Sequence, residues 1–159
     1  MKILVVSDTH GQHRNLNTVI EKVGPIDMLV HLGDFENGEA YIEQVANCPT
    51  HMIAGNNDFF SRREKEEEFY IGKYGVFITH GHRYRVSLDL QWLIDEAKSR
   101  EADIVMFGHT HKPSIAYDGG ITFINPGSLS YPRQEGRKGS YILMEIDRQG
   151  ESHFTINYV

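Results

Sequence analysis

The sequence predicts an α/β fold in which two mixed β-sheets pack face to face between outer helices, a four-layer α/β/β/α sandwich. Apolar strands alternate with amphipathic helices through the first two thirds of the chain. After His111, short strands of alternating polarity follow one another without helices, which indicates antiparallel pairing in a second sheet. With 159 residues, of which 40% are hydrophobic, the chain fits a single domain over residues 1–159.

The first part of the chain has the order β-α-β-α-β. Residues 2–7 are aliphatic and β-branched, as in a parallel strand buried on both faces, and a helix at 15–23 ends before Gly24-Pro25. The next elements are a strand at 28–32, a helix at 39–46 and a strand at 51–54. This alternation implies parallel strands joined by right-handed crossovers, whose carboxyl ends share one edge.

The RREKEEE segment at 62–68 is the strongest charge run, and we interpret it as a solvated helix face or an exposed loop. A strand at 76–79, an amphipathic helix at 88–100 and a strand at 104–107 follow. The remaining strands are expected at 114–117, 121–124, 141–146 and 153–158. The turn residues at 118–120 favour a hairpin between the first two of them.

Net charge and cysteine content limit the classes of binding partner and the cellular compartment that we expect. The formal net charge of −6 disfavours extended nucleic acid, because phosphate polymers are usually met by a basic surface. A small phosphorylated substrate remains compatible, because divalent ions would make one cleft locally positive. The single cysteine, Cys48, has no disulfide partner, and we find neither a signal-peptide core nor a membrane-length apolar segment. We therefore expect a cytoplasmic protein with no membrane partner, while homo-oligomer formation stays open.

Five apolar runs end at side chains that can bind metals. The side chains are those of Asp8, His10, Asp34, Asn56, His80, His109 and His111. Ligands bind beyond the carboxyl ends of parallel strands, so we expect these seven donors to converge at one sheet edge. The alternate spacing of Asp8 and His10, and of His109 and His111, would place each pair on one face of an extended strand. Carboxylate, amide and imidazole groups are suitable ligands for divalent cations.

Seven donors exceed the needs of one octahedral ion with an open position, whereas two ions sharing a carboxylate account for all of them. We therefore infer a binuclear site. Such sites hold a bridging hydroxide and clamp both oxygens of an in-line displacement at phosphorus, so phosphoester hydrolysis is the natural chemistry. Hydrolysis of a carboxamide or peptide is the alternative, but phosphoryl oxygens are better ligands for hard ions.

The motifs SDTHG, GDFEN, GNND, THGH and GHTH, in this order, resemble those of the calcineurin-like metallophosphoesterases, especially the compact bacterial and archaeal phosphodiesterases. The resemblance extends from Lys2 through NPGSLSYPR at 125–133. It implies a two-sheet sandwich and two divalent ions, with manganese expected and iron, zinc, nickel or magnesium as alternatives. One ion would be bound by Asp8, His10, Asp34 and His111, and the other by Asp34, Asn56, His80 and His109. Asp34 would be the bridge.

One position departs from the family pattern. Many members carry a histidine directly after the ligand asparagine, where it protonates the leaving alcohol, but this chain has Asn57 there. Because an amide is not a useful proton donor, we expect substrates whose leaving group needs little protonation. His82 is the candidate replacement acid or a substrate contact, and a cleft-wall residue without catalytic duty is the alternative.

Three residues near the end of the resemblance are candidate substrate contacts. Asn125 and Ser128 could donate hydrogen bonds to a phosphate, and Arg133 could pair with it bidentately. The alternatives are a plain turn for NPGS and a solvated surface side chain for Arg133. His31 precedes Asp34 within a strand, so we interpret it as a core residue that orients a ligand.

The leading functional hypothesis is a metal-dependent phosphodiesterase acting on a small or nucleotide-like phosphodiester. The alternative is a protein-interaction scaffold, because relatives of this fold include a retromer subunit that serves mainly as an interaction module. A nuclease is a third candidate, opposed by the acidic balance and the short chain. A complete set of ligand residues favours the enzyme hypothesis, since a site that had lost its catalytic function should show substitutions among these residues.

Overall fold

The computed structural model describes residues 1–159 and contains two five-stranded sheets and three α-helices. In chain order the strands are β1 (Lys2–Val6), β2 (Met28–His31), β3 (Thr50–Met52), β4 (Glu66–Ile71), β5 (Tyr74–Thr79), β6 (Ile104–Phe107), β7 (Pro113–Asp118), β8 (Ile121–Pro126), β9 (Ser140–Ile146) and β10 (Ser152–Tyr158). The helices are α1 (Arg14–Val23), α2 (Glu39–Ala46) and α3 (Gln91–Ser99), and a 3₁₀ turn covers His82–Tyr84.

Both sheets are mixed. The first has the strand order β10-β9-β1-β2-β3, in which β1, β2 and β3 are parallel and β9 and β10 are antiparallel additions. The second has the order β4-β5-β6-β8-β7, with β5, β6 and β8 parallel between antiparallel edge strands. Short antiparallel hairpins thus extend a parallel centre in each sheet.

Alternation along the central strands builds the four layers. In β1, the side chains of Ile3 and Val5 pack between the two sheets. The side chain of Leu4 points to the opposite face of the first sheet, where it packs against helices α1 and α2. Helices α1 and α2 bury Leu16, Val19 and Ile42 on that outer face. Helix α3 covers the outer face of the second sheet through Leu93 and Ala97. The predicted α/β/β/α sandwich is confirmed.

The distribution of strands between the sheets differs from the prediction. The strands after His111 do not form a sheet of their own, because β9 pairs with β1 and β10 pairs with β9, whereas β7 and β8 join the second sheet. Strands β5 and β6, predicted to continue the first sheet, form the centre of the second. Local polarity predicts that a strand forms, but its partner depends on contacts far apart in the sequence.

The RREKEEE segment is also placed differently. Its second half is neither helix nor loop but the start of edge strand β4, which pairs antiparallel with β5. Arg100 pairs with two of these acidic side chains, with guanidinium–carboxylate distances of 2.8 Å to Glu66 and 3.0 Å to Glu68, and also with Glu96 of helix α3 at 2.7 Å. Charged residues suit an edge strand, because they discourage pairing with another chain.

None of the helices is both long and apolar enough to span a membrane.

Candidate metal centre

The predicted ligand residues lie in loops that follow strands of both sheets. The loops after β1, β2 and β3 belong to the first sheet, and those after β5 and β6 belong to the second. The expectation of a single sheet edge was therefore wrong. The donors converge because the two sheets pack face to face with the carboxyl ends of their parallel strands at the same end of the molecule.

The backbone at the ligands is left-handed. Five of the seven predicted ligand residues have a positive φ: Asp8 (55°), His10 (46°), Asp34 (56°), His109 (69°) and His111 (58°). Such conformations cost on the order of 1 kcal/mol each in residues other than glycine, and they cluster at functional sites. Strand β1 ends at Val6, so the extended geometry expected for Asp8 and His10 is absent. The pair converges through tight turns instead.

Asp8 is the carboxylate around which the first group of donors gathers. Its Oδ1 lies 3.0 Å from His111 Nε2 and 3.8 Å from His10 Nε2, and the two imidazole nitrogens are 3.4 Å apart. Ligand atoms about 2.1 Å from one ion lie roughly 3 to 4 Å from one another. These three side chains therefore have the spacing of a shared metal ion.

A second group of donors consists of Asp8, Asp34 and His80. His80 Nε2 lies 3.4 Å from Asp34 Oδ2 and 3.9 Å from Asp8 Oδ1. Asp34 Oδ2 is also 3.9 Å from His10 Nε2, so both carboxylates lie between the groups. Because Asp8 belongs to both groups, the bridging role of Asp34 stays a prediction.

The remaining predicted ligands, Asn56 and His109, lie beside the second group. His109 Nδ1 is 3.0 Å from Asn56 Oδ1, and the His109 ring is 5.2 Å from that of His80. Both residues are more exposed than the two carboxylates, and the His109 amide also donates to Asp8 Oδ2 at 3.2 Å. The structure thus brings all seven predicted ligands to one place.

Three of the histidines are oriented by a partner on the ring nitrogen that faces away from the centre. Nδ1 of His80 donates to the Leu32 carbonyl at 2.6 Å, and Nδ1 of His111 donates to the Tyr131 carbonyl at 2.7 Å. Nδ1 of His10 contacts Glu36 Oε1 at 2.6 Å. These contacts direct each Nε2 at the carboxylates, where its lone pair would be available to a bound ion, as in metal-binding histidines.

Buried polar atoms at the centre fit a bound cation. Asp8 Oδ1 and His80 Nε2 are inaccessible to solvent and have no hydrogen-bond partner. Burial opposes ionisation of Asp8 and Asp34, but neighbouring histidines hold the pKa of both carboxyls below the usual range. Burial also disfavours protonated His80, yet Asp34 and Asp8 raise its pKa to about 9. A divalent ion would supply the positive charge that the His80 proton otherwise supplies.

Comparison with known proteins accounts for this arrangement. The model of the calcineurin-like phosphoesterase superfamily domain matches residues 1–149. The chain belongs to this superfamily. A probable metallophosphoesterase of Mycoplasma genitalium is 32% identical, and the alignment covers 99% of this chain and 95% of the relative. A phosphodiesterase of Methanocaldococcus jannaschii is 33% identical over 80% of this chain and 83% of its own length. The family resemblance is confirmed, and these relatives identify a metal-dependent phosphoric ester hydrolase.

Solved structures support the same fold. A phosphoesterase-like protein of Streptococcus pneumoniae superposes with a TM-score of 0.80 at 30% identity, covering 98% of this chain and 97% of that one. Wild-type Vps29 of Entamoeba histolytica, complexed with Zn²⁺, superposes with a TM-score of 0.79 at 24% identity, covering 99% of both chains. At that identity the second match supports the calcineurin-like fold alone.

Asp58 joins two of the ligand loops of this phosphoesterase, a role that its sequence did not reveal. The Asp58 carboxylate accepts hydrogen bonds from the backbone amides of Asp34, Glu36 and Gly55, each at 2.7 Å. Burial raises the pKa of Asp58, against the effect of the three amides. An aspartate two residues after a ligand is common turn chemistry, so only the fold identifies these partners.

Asn57 contacts the metal centre rather than open solvent. Its side-chain amide donates to Asp34 Oδ2 at 2.7 Å, and its backbone amide donates to Asp34 Oδ1 at 2.9 Å. Asn57 therefore holds the carboxylate of Asp34 in place. A direct part for Asn57 in catalysis stays a prediction.

Two glycines permit the close approach of these loops. A β-carbon at Gly108 would collide with Ser7 Oγ, which donates to Asp8 Oδ2 at 2.5 Å. A β-carbon at Gly55 would collide with Asp34 Oδ1. Glycine at positions 55 and 108 therefore lets these loops pack directly against the loops of Asp34 and Asp8.

The predicted substrate contacts Asn125 and Ser128 are completely buried. The Asn125 amide donates to Gly108 O and Thr110 Oγ1, both at 3.0 Å, and its oxygen accepts from Gly127. Ser128 Oγ donates to the Asp8 carbonyl at 2.8 Å and accepts two backbone amides. Both side chains support the ligand loops in this structure, and their contact with a substrate stays a prediction.

Arg133 and His82 lie at the rim of the centre. Arg133 is exposed, and its backbone amide donates to the carbonyl of His111 at 3.0 Å. His82 is half-buried, with ring centroids 5.5 Å from His80 and 6.0 Å from His109. Arg133 lines the same cavity as His10 and His111, and the roles of Arg133 and His82 stay predictions.

His31 lies between two ligand loops and provides a test of the electrostatics. It is completely buried, its Nδ1 accepts from the Gly33 amide at 3.2 Å, and its Nε2 lies 3.0 Å from Thr9 Oγ1. Burial lowers the pKa of His31 to about 3. The neutral ring thus bridges the loops that carry Asp8 and Asp34, in accord with the predicted core position.

Replacing His31 with glutamine is expected to flatten the pH dependence of folding. The unfolded chain protonates His31 near pH 6.5 and the folded chain only near pH 3, so this group lowers stability as the pH falls through that interval. Between pH 6 and 4, His31→Gln should reduce the dependence of the free energy of unfolding on pH by about 1.4 kcal/mol per pH unit. Urea unfolding of the metal-free protein measures the slope, and an identical slope in both proteins would contradict the neutral assignment.

Proposed function

We propose that this phosphoesterase is a phosphodiesterase that binds two divalent ions, with manganese expected, and hydrolyses a small or nucleotide-like phosphodiester. The observation that carries the proposal is the convergence of all seven donors on two buried carboxylates, where Asp8 Oδ1 and His80 Nε2 have no hydrogen-bond partner in the protein. Sharing of Asp8 or Asp34 between two ions would use every donor. The relatives from M. jannaschii and Escherichia coli named phosphodiesterases support the choice of a diester.

Divalent ions bound here would lower the pKa of a bound water molecule, so that hydroxide is available near neutral pH, and would stabilise negative charge on the phosphoryl oxygens. The chain itself supplies orientation. His10, His80 and His111 keep their Nε2 atoms directed inward, because each Nδ1 is already bonded to a protein oxygen. Asn57 and Asp58 hold the loop of Asp34 against that of Gly55, which fixes the carboxylate before substrate arrives.

The scaffold alternative has support in the likeness to Vps29, which shares the fold. The ligand residues argue against a scaffold, because all seven predicted positions carry a side chain that can bind a metal. The oriented histidines also favour catalysis, since a surface that serves only protein binding needs no inward-facing lone pairs.

The choice of leaving group follows from the groups around Asn57. Its amide donates a hydrogen bond to Asp34 and is too weakly acidic to protonate a leaving group. Burial, followed by the charges of His80 and His109, lowers the pKa of His82 to about 4, so its ring is neutral near pH 7 and is a poor proton donor. We therefore propose diesters with good leaving groups as preferred substrates.

Restoring a histidine at position 57 should widen the substrate range. In Asn57→His, the ratio of kcat/KM for a phenyl leaving group to that for a p-nitrophenyl leaving group should rise by about 10- to 100-fold, because general acid catalysis matters most for the basic leaving group. Asn57→Ala is the control for loss of the contact with Asp34, and both variants are assayed at saturating Mn²⁺. Equal changes for both substrates would remove the explanation.

A screen of the metal-reconstituted protein tests the reaction class. We expect turnover of bis(p-nitrophenyl) phosphate to exceed that of p-nitrophenyl phosphate and to require added divalent metal. Cyclic nucleotides and dinucleotides form the natural-substrate panel. Preference for the monoester, or equal turnover in chelator, would contradict the proposal.

A further inference from the structure

A cavity of about 640 Å³ opens on the metal centre and is lined mainly by polar side chains. Its lining includes the candidate ligands His10 and His111 together with Glu36, Tyr131, Arg133 and Arg137. We call the region around the two arginines the arginine cleft. Its volume falls within the range of about 300 to 1,000 Å³ that holds drug-sized ligands, and it is larger than one phosphate group requires.

The two arginines are uncompensated cations in an acidic protein. Both are exposed, and neither guanidinium takes part in an ion pair or a hydrogen bond. The chain has a net charge of −6, so two free guanidinium groups beside one cavity are a local reversal of charge. Glu36 is the acidic group in the cavity, and it already contacts His10 Nδ1 at 2.6 Å.

The backbone of the arginine cleft is tied to the metal centre. The amide of Arg133 donates to the carbonyl of His111 at 3.0 Å, and the carbonyl of Tyr131 accepts from His111 Nδ1 at 2.7 Å. The Arg137 amide donates to the Gln134 carbonyl at 3.1 Å, which closes a turn between the two arginines. The position of the cleft relative to a phosphate bound at the metals is therefore set by the fold.

We propose that the arginine cleft binds a second phosphate of the substrate, so that the preferred diesters carry a further phosphate beyond the one hydrolysed. The inference rests on the proposed function, because the first phosphate is placed at the metal centre. Guanidinium groups pair with phosphate oxygens in a planar, often bidentate geometry. The expected substrate class is a small nucleotide-like diester with an additional phosphate.

A small molecule fits this surface better than a nucleic-acid strand. A strand needs a row of cations along its backbone, whereas the cleft offers two arginines and shares its cavity with the acidic Glu36. The overall negative charge would repel further phosphates outside the cleft.

The test uses two substrates with the same leaving group. Thymidine 5′-(p-nitrophenyl phosphate) has one phosphate, and its 3′-phosphorylated derivative has a second. In the Mn²⁺-loaded protein, the derivative should have the higher kcat/KM by about tenfold, the value of one strong charge-assisted contact at an exposed site. In the double variant Arg133→Ala/Arg137→Ala this ratio should fall to about one. Arg148→Ala removes an exposed arginine in the β9–β10 turn and should leave the ratio unchanged.

Binding provides a readout that does not need turnover. The affinity ratio of thymidine 3′,5′-bisphosphate to thymidine 5′-monophosphate, measured by calorimetry on the Mn²⁺-loaded protein, should also be about ten and should be lost in the double variant. A wild-type ratio near one, or a ratio that survives in the double variant, overturns the inference. If neither diester is hydrolysed, the proposed phosphodiesterase function fails, and the binding ratio still decides the arginine cleft.

Discussion

Replacing Asp34 with alanine is expected to abolish metal-dependent phosphodiester hydrolysis while leaving the fold intact. Asp34 Oδ2 lies 3.4 Å from His80 Nε2 and 3.9 Å from His10 Nε2, so the variant removes one of the two carboxylates at the centre. Loss of a residue that merely orients a ligand costs about 10- to 100-fold, and loss of a ligand should cost on the order of 10³-fold or more in kcat/KM. His109→Ala should act in the same direction. Turnover of bis(p-nitrophenyl) phosphate in excess Mn²⁺ measures the effect.

Matched controls separate loss of metal ligands from general damage. Asp118 is exposed and pairs with Lys98 at the opposite end of the second sheet, and His153 is exposed and pairs with Asp147. Asp118→Ala and His153→Ala should keep wild-type turnover. Circular dichroism should give the same folded spectrum for all four variants. Normal turnover in Asp34→Ala or His109→Ala would contradict the assignment of the centre.

Replacing Asp58 with alanine should have the second largest effect, although Asp58 is not expected to bind a metal. The variant leaves three backbone amides without their acceptor, at Asp34, Glu36 and Gly55. Since a buried polar group without a partner costs about 1–3 kcal/mol, we expect the free energy of unfolding to fall by roughly 3 kcal/mol. The affinity for Mn²⁺ should fall by about 10- to 100-fold, because the loop of Asp34 loses its support.

Urea unfolding of the metal-free protein and calorimetric titration with Mn²⁺ measure the two effects separately. Asp58→Asn keeps one acceptor oxygen but places an amide NH2 group, itself a donor, near the same backbone N–H groups, so its effects should be intermediate. Asp118→Ala serves again as the exposed control. Wild-type stability and wild-type metal affinity in Asp58→Ala would show that the tether between the loops is unnecessary.

The identity of the ligands was predictable because the ability to bind a metal depends on side-chain type, which can be read directly from the sequence. Asp8, His80 and His111 each follow an apolar run, and those runs become buried strands β1, β5 and β6. Burial of such a run leaves its polar end at the sheet edge in nearly any α/β arrangement. The prediction therefore survived the wrong assumption that all the strands belong to one sheet.

The geometry of the ligands was not predictable from spacing. Asp8 and His10 converge through left-handed backbone, with φ of 55° and 46°, rather than on one face of a strand. The hydrogen bonds that stabilise such turns come from distant segments, such as Ser128 Oγ to the Asp8 carbonyl across 120 positions. Asp58 was overlooked for the same reason, since its three donors include two from another loop.

The pairing of the strands could not be predicted from the local pattern of polar and apolar residues either. Residues 66–68 are acidic, and no apolar alternation marks them as a strand. They form one because β5 offers an edge and Arg100 offsets their charge. Likewise, β9 pairs with β1 from the far end of the sequence, which polarity alone does not specify.

Titration of the metal-free protein with Mn²⁺, with bound ions and turnover of bis(p-nitrophenyl) phosphate followed together, tests the central claim most directly. Two ions per chain should bind, and turnover should be absent without metal and reach its maximum only as the second ion is bound. Full turnover in the chelator-treated protein, or maximal turnover with no more than one ion per chain, would contradict the account.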